Sequence, residues 1–281
     1  MSEAADHNLS HLPLAAGRLG AAFARPKVLA AICVVALAGL GWLAVGLLYS
    51  GMGVFDALCQ SLAMPHGTWG VSGFAIVALM WGAMTLAMML PSASPMILTY
   101  AEIADTAARK HERIVSPFVL AAGYTLVWLG FAAIMTLAQF AFTRAALLDT
   151  GMQSASGLFS GAIFIAAGVY QFSALKHACL TQCQTPFPFF FANWATTPRG
   201  VFRLGVKQGL YCLGCCWAMM LVMFAVGVMN VIWMAGLGMV MTFEKIGTGK
   251  RLTYAVGVVL IVAGVAFVLS AFVAHWPVQL I

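Results

Sequence analysis

Long apolar segments, separated by short polar stretches, follow one another along most of the chain. Hydrophobic residues make up 63% of the 281 positions and charged residues only 8%, whereas an ordinary soluble domain has about 25% charged residues. The apolar segments approach or exceed the ~20 residues that cross a bilayer as a helix, and they lack the alternation of barrel strands. The pattern predicts an all-α fold, a polytopic transmembrane helical bundle.

The lengths of these segments predict about seven spans. The stretch between Lys207 and Glu244 has no charge and is nearly twice as long as one crossing, so we expect it to fold back near residues 227–230. A single transmembrane domain over residues 28–281 is therefore expected, after a partly interfacial cytoplasmic tail over residues 1–27. The predicted spans are 28–49, 70–90, 116–142, 158–176, 206–227, 229–243 and 252–275.

The basic residues predict how the bundle is oriented. Lys and Arg accumulate in cytoplasmic connections, and a cytoplasmic N-terminus places all 14 of them except Arg144 on that side. The net charge of +6 is thus distributed as in a membrane protein, which argues for the lipid bilayer and against nucleic acid as the partner.

Two further segments are predicted from their proline and aromatic residues. Ser94 followed by Pro95 is a helix start signal and predicts a separate short helix over residues 95–111. The aromatic stretch 186–194 predicts an interfacial or re-entrant segment.

All eight acidic residues fall in predicted loops or tails, which disfavours a di-iron carboxylate enzyme and a proton pump with a buried carboxylate relay.

Cysteines concentrate at the predicted cytoplasmic ends of two spans. In KQGLYCLGCCWAMMLVMF, Cys212, Cys215, Cys216 and Met219 fall on one helical face. In YQFSALKHACLTQCQTP, Cys179 and Cys183 are four residues apart and share a face as well. Only two of the seven cysteines, Cys33 and Cys59, lie elsewhere.

Methionines repeat every four residues in MWGAMTLAMMLPSASPM, which brings Met80, Met84 and Met88 onto one face with Met96 just beyond. A methionine stripe in a lipid-embedded helix is more often packing than ligation. Lys176 lies close to the thiols in sequence and is expected to reach the interface or to pair with Glu102 or Glu244.

Thiolate and thioether ligands together suit Cu(I), whereas Mg, Ca or Mn prefer oxygen ligands. Zinc bound by Cys and His177 is the alternative. The candidate metal ligands are Cys179, Cys183, Cys212, Cys215, Cys216, Met84, Met88, Met96, Met219 and His177.

The three motifs, in this order, resemble a bacterial family catalogued as domain of unknown function 2182 and described as predicted metal-binding integral membrane proteins. The resemblance covers roughly residues 70–250, and three separated motifs make it fairly specific. It implies a metal site and the bacterial cytoplasmic (inner) membrane, without a metal or a direction of movement. The residues that carry it are Met84, Met88, Met89, Pro91, Pro95, Met96, Lys176, Cys179, Cys183, Cys212, Cys215, Cys216 and Met219.

The leading functional hypothesis is an integral membrane protein, more readily a carrier than an enzyme, that binds Cu(I) near the cytoplasmic face for transport or delivery. A metal chaperone or a membrane enzyme complex is the expected partner. One alternative is a membrane oxidoreductase that uses the thiols or a bound metal, although most cysteines lie on the predicted reducing side. The other is a structural or assembly subunit whose Cys and Met only pack. The oligomeric state stays open.

Overall fold

The computed structural model describes residues 26–50, 70–110, 114–148, 154, 156–228, 230–247 and 249–275. Cys59, the side chain of Cys33 and most of the predicted N-terminal tail lie outside this part. The described residues form nine helices and no strand, which confirms the all-α bundle. These are α1 (Pro26–Ser50), α2 (Val71–Arg109), α3 (Pro117–Arg144), α4 (Gly157–Tyr170), α5 (Ala174–Gln184), α6 (Pro186–Ala192), α7 (Pro198–Val226), α8 (Val231–Ile246) and α9 (Arg251–His275).

Four of these helices, α2, α3, α7 and α9, are long and apolar enough to cross a membrane, and α4 with α5 gives a fifth span if the bent pair counts as one. The predicted fold-back is confirmed, because α7 ends at Val226 and α8 begins at Val231, with Asn230 as its N-cap. Helix α8 has 16 residues and is about 24 Å long, shorter than the ~30 Å hydrocarbon core. The total of seven spans stays a prediction.

Helices α2 and α7 form the centre of the bundle. Both bury 61% of their apolar windows, whereas α9 buries 17% and lies at the periphery against α4. Helix α7 contacts α3, α4, α5 and α8, and α2 contacts α1, α3, α6 and α8. The helices that carry the methionine motif and the cysteine triad are therefore the two most enclosed of the four long helices.

The predicted separate helix after Ser94 is wrong, because α2 runs unbroken through Pro91 and Pro95 to Arg109. Pro95 has no N–H to donate to the Pro91 carbonyl one turn earlier. Ser94 Oγ donates to that carbonyl oxygen at 2.7 Å instead, which is how Ser side chains keep proline-containing helices continuous in membranes. The Ser94 hydroxyl, which was predicted to cap a helix, therefore supplies the hydrogen bond that Pro95 cannot make inside α2.

The predicted span 158–176 is also corrected, because it breaks after Tyr170 and resumes as α5 with a bend of 64°. The break starts a new helix at Ser173, whose side chain accepts a hydrogen bond from the Lys176 N–H, as N-cap residues do. The aromatic stretch that follows forms the short helix α6, and its Phe190 is buried against Tyr100 of α2.

Glycines allow α3 and α7 to cross with their backbones in contact. A Cβ added at Gly209 would lie 3.2 Å from the Tyr124 carbonyl oxygen, and one added at Gly205 would overlap the Leu120 carbonyl oxygen. Small residues permit this approach in membrane bundles. The close crossing brings the Tyr124 side chain of α3 to the cysteine face of α7.

We predict that Gly205→Ala destabilises the bundle while Gly130→Ala in α3 does not. A Cβ at Gly205 would collide with the α3 backbone, whereas one at Gly130 has no atom within 4 Å. Both substitutions gain the same helix propensity, so the difference isolates the overpacking cost of about 1–3 kcal/mol. Thermal unfolding of the two variants in detergent checks this, and equal midpoints would contradict the observed crossing.

Candidate metal centre

Three buried thiols from α7 come together inside the bundle. The Sγ atoms of Cys212, Cys215 and Cys216 all lie within 4.8 Å of one another, and each side chain is only 1% exposed. The Cys215 and Cys216 sulfurs are 3.4 Å apart. Three sulfurs bonded to one ion at about 2.3 Å, the zinc–thiolate distance, lie about 4 Å apart. The cluster is therefore close to the spacing that a single ion requires.

Cys212 has polar partners from two other helices. Lys245 Nζ of α8 lies 2.9 Å from Cys212 Sγ and also donates to Ser92 Oγ of α2 at 2.6 Å. Tyr124 Oη lies 3.0 Å from the same sulfur and 3.1 Å from the Met89 carbonyl oxygen. A neighbouring lysine favours thiolate, which is the form of cysteine that binds metal.

Helix α5 covers the cluster with a fourth thiol. Cys183 Sγ is 4.0 Å from Cys215 Sγ, and Cys183 is only partly buried. A cavity of about 10 Å³ separates Cys183 from Cys212 and Lys245 and is also lined by Met96, Gln208, Tyr124 and Ser92. This volume is about that of one water-sized sphere, so the cavity admits one small guest.

The other thiol of α5, Cys179, sits on the α7 backbone. A Cβ added at Gly214 would lie 2.6 Å from Cys179 Sγ, so the sulfur occupies the space that the glycine leaves open. His177 lies two residues before Cys179 and therefore on a different face of the helix. Its ring packs edge-on against Tyr254 of α9, with centroids 5.2 Å apart. The structure thus brings Cys179, but not His177, towards α7.

The four candidate methionines are all buried, but only Met96 lines the cavity. Met88 is one turn before Ser92 and faces Gly238 of α8, where an added Cβ would be 3.8 Å or less from it. Met84 lies a further turn away on the same face of α2, and Met219 lies one turn beyond Cys215 and Cys216 on α7. Met84, Met88 and Met219 therefore extend from the thiols into the bundle core.

A buried ion pair beside the thiols corrects the expectation that all acidic residues lie in loops or tails. Glu244 of α8 is 3% exposed and pairs with Lys176 of α5, with Oε2 and Nζ 2.8 Å apart. Lys176 also donates to Gln171 Oε1. Pairing of Lys176 with Glu244 was one of the two expected partnerships and is confirmed. Glu102 and Asp105 also lie in a helix, α2.

Several residues around the thiols were not found from the sequence. The structure gives Lys245, and not Lys176, the position beside a thiol, and it adds Tyr124, Ser92 and Gln208 to the cavity. A lysine at the end of an apolar helix resembles an ordinary interfacial cation. The one available signal was the sequence Glu244-Lys245 itself, two charges at the end of a span where few charges are tolerated.

The sequence that carries this cluster matches a known protein family. A family model described as PpoB2, copper chaperone, matches residues 78–267. The chain belongs to the PpoB2 copper chaperone family. The matched region includes both cysteine groups, Met96, Tyr124 and Lys245. No curated protein and no solved structure matches the chain significantly.

We predict that the Lys176–Glu244 pair is costly to break and inexpensive to replace. Removing one partner, as in Glu244→Gln, leaves a buried charge uncompensated and costs about 3–5 kcal/mol. Replacing both, as in Lys176→Met with Glu244→Leu, removes the charges together and is expected to restore most of that stability. Unfolding of the single and double variants in detergent checks this, and additive losses would contradict the direct pairing.

Proposed function

We propose that this chain is a bacterial cytoplasmic-membrane protein that binds one Cu(I) ion through Cys212, Cys215 and Cys216 and delivers it to a partner. The observation that carries the proposal is the group of three buried sulfurs within 4.8 Å of one another in a chain of a copper chaperone family. Thiolates are preferred ligands of Cu(I). Copper is cargo in this proposal, and the polypeptide provides its ligands.

The surroundings of the thiols support a bound monovalent cation. Three thiolates and one Cu(I) ion carry a net negative charge, which is expensive to bury unless a cation offsets it. Lys245 is in place to do so at 2.9 Å from Cys212. Tyr124 Oη lies 3.0 Å from the same sulfur and is held in place by its hydrogen bond to the Met89 carbonyl oxygen. It therefore helps to position Cys212, as outer partners position metal ligands.

The other candidate ligands lie at different distances from the three inner thiols, and the proposal gives them different roles. Met96 lines the cavity next to Cys212 and is placed to complete the coordination of an ion. Cys183 lines the same cavity and is placed to pass an ion on. Cys179 is one turn from Cys183 on the same face of α5. The expected recipient is a soluble metal chaperone or a membrane enzyme complex. Transport across the membrane is the second outcome that the Met84, Met88 and Met219 positions would serve.

We expect purified wild-type protein to hold close to one copper per chain and the Cys212→Ser, Cys216→Ser double variant to hold none. The substitutions remove two of three clustered sulfurs and keep side chains of similar size. Elemental mass spectrometry of protein purified without chelator or affinity metal checks this. It also reports zinc, which a site with Cys183 as fourth thiolate would accept.

Two further samples frame that measurement. Cys33→Ser, outside both cysteine groups, is expected to keep its copper, while a variant with Cys179, Cys183, Cys212 and Cys216 all changed to Ser loses it. Copper retained in the double variant would contradict the proposed ligands. No metal in the wild type or in the variants would contradict the proposed function and favour the thiol enzyme or the assembly subunit.

We also expect Lys245→Met to weaken Cu(I) binding about tenfold to hundredfold, the range found when outer partners of metal ligands are removed. Lys250→Met is the matched control, because Lys250 is exposed and is not among the residues that line the cavity. Competition with a chromophoric Cu(I) chelator measures both affinities. Equal affinities in the two variants would show that Lys245 does not act on the bound ion.

A further inference from the structure

Helix α5 is a short helix that follows a bend and is joined to α8 by polar contacts with a single residue. It follows a 64° bend after α4 and packs against α7 and α8. Two of its polar contacts are with one residue of α8, Glu244, whose carboxylate pairs with Lys176 and whose carbonyl accepts from Gln184 Nε2. Its two cysteines are partly exposed, whereas Cys212, Cys215 and Cys216 are fully enclosed. The thiols therefore form an outer and an inner group.

The two groups are close enough to share an ion. Cys183 Sγ lies 4.0 Å from Cys215 Sγ, which lies 3.4 Å from Cys216 Sγ. An ion bonded at about 2.3 Å bridges two sulfurs up to about 4.6 Å apart. A Cu(I) ion can thus be bound to Cys183 and Cys215 at once without movement of the backbone, which is the geometry of an intermediate in ligand exchange.

The cavity between Cys183 and Cys212 is too small for a hydrated ion. With a volume of about 10 Å³, it holds one atom-sized guest and has no room for an ion with its hydration shell or for a chelator. The ion must exchange its ligands as it enters. Of the cavity-lining residues, Cys183 is the partly exposed thiol, and Cys212 is enclosed.

We propose that Cys183 is the transfer ligand of this protein, the thiol through which Cu(I) enters and leaves the inner group, and that Cys179 is the position before it. The inference rests on the proposed Cu(I) site and assigns a kinetic role within it. Each handover breaks one copper–sulfur bond and forms another. The sulfur that releases the ion takes up the proton that the receiving thiol gives up, and copper stays monovalent throughout.

The position of Cys179 depends on a glycine. A side chain at residue 214 would displace the Cys179 sulfur, since the added Cβ would be 2.6 Å from it, while a Cβ at Gly236 of α8 meets nothing within 4 Å. Gly214→Ala should therefore disturb the outer group and leave the inner sulfurs in place, and Gly236→Ala is its matched control.

The test follows Cu(I) transfer from its bicinchoninate complex to the full-length protein in detergent by stopped-flow absorbance, together with copper content at equilibrium. Because Cys183 acts on both directions of exchange, Cys183→Ser is expected to slow loading and chelator-driven unloading by the same factor, at least tenfold. Its equilibrium affinity should stay within about threefold of the wild type. Gly214→Ala should slow loading less, and Gly236→Ala not at all.

A second variant guards against a folding defect. Cys183→Met keeps a soft donor, whereas Cys183→Val keeps only apolar bulk, so the Met variant should restore part of the loading rate and the Val variant should not. Loading of Cys183→Ser at the wild-type rate would overturn the inference. Loss of the bound copper from Cys183→Ser at equilibrium would also overturn the inference, because Cys183 would then be a ligand that holds the ion. The proposed function would still stand in that case. If the wild-type protein takes up no Cu(I), both the inference and the proposed function fail.

Discussion

Two consecutive charges in the last turn of α8 hold the surrounding helices in position. Glu244 pairs with Lys176 of α5, and Lys245 reaches Cys212 of α7 and Ser92 of α2. All four helices meet at polar groups that are buried in the protein, and each of these groups must find its partner there because burial removes it from water. The thiols of α7, the cover formed by α5 and the cavity-lining turn of α2 therefore depend on the same short segment. A substitution of Glu244 or Lys245 is therefore expected to disturb the helices on both sides of the cavity.

The sequence predicted the parts of the site that lie on one helix. The offsets of Cys212, Cys215, Cys216 and Met219 place them on one face of α7 in any helix, and the uncharged length after Lys207 requires a fold-back. The pairing of Lys176 with Glu244 was one of three expectations for this lysine, beside pairing with Glu102 and reaching the interface. Local periodicity and polarity carry this information.

Contacts between helices could not be predicted from the sequence. Tyr124 and Lys245 join Cys212 only because Gly205 and Gly209 let α3 approach and because the fold-back returns α8 to the same end. Ser94 was interpreted from the sequence as a helix cap, whereas in the enclosed and continuous α2 its hydroxyl satisfies the Pro91 carbonyl. The bend before Ser173 contains neither proline nor glycine, so its only local signal was a capping serine.

Packing beyond the thiols bears on whether the proposed Cu(I) ion would be delivered or would pass through the membrane. Met219, Met220 and Met223 of α7 are almost completely enclosed, and Phe224 on the same helix packs against Trp81 of α2 with ring centroids 5.3 Å apart. An ion that moved along these thioethers would have to separate α2 from α7, the two central helices, whose buried side chains pack closely. Release at the thiol end passes α5 instead, which is shorter, bent away from α4 and carries the partly exposed Cys183. The cost of opening the bundle therefore favours delivery on the side from which the ion entered.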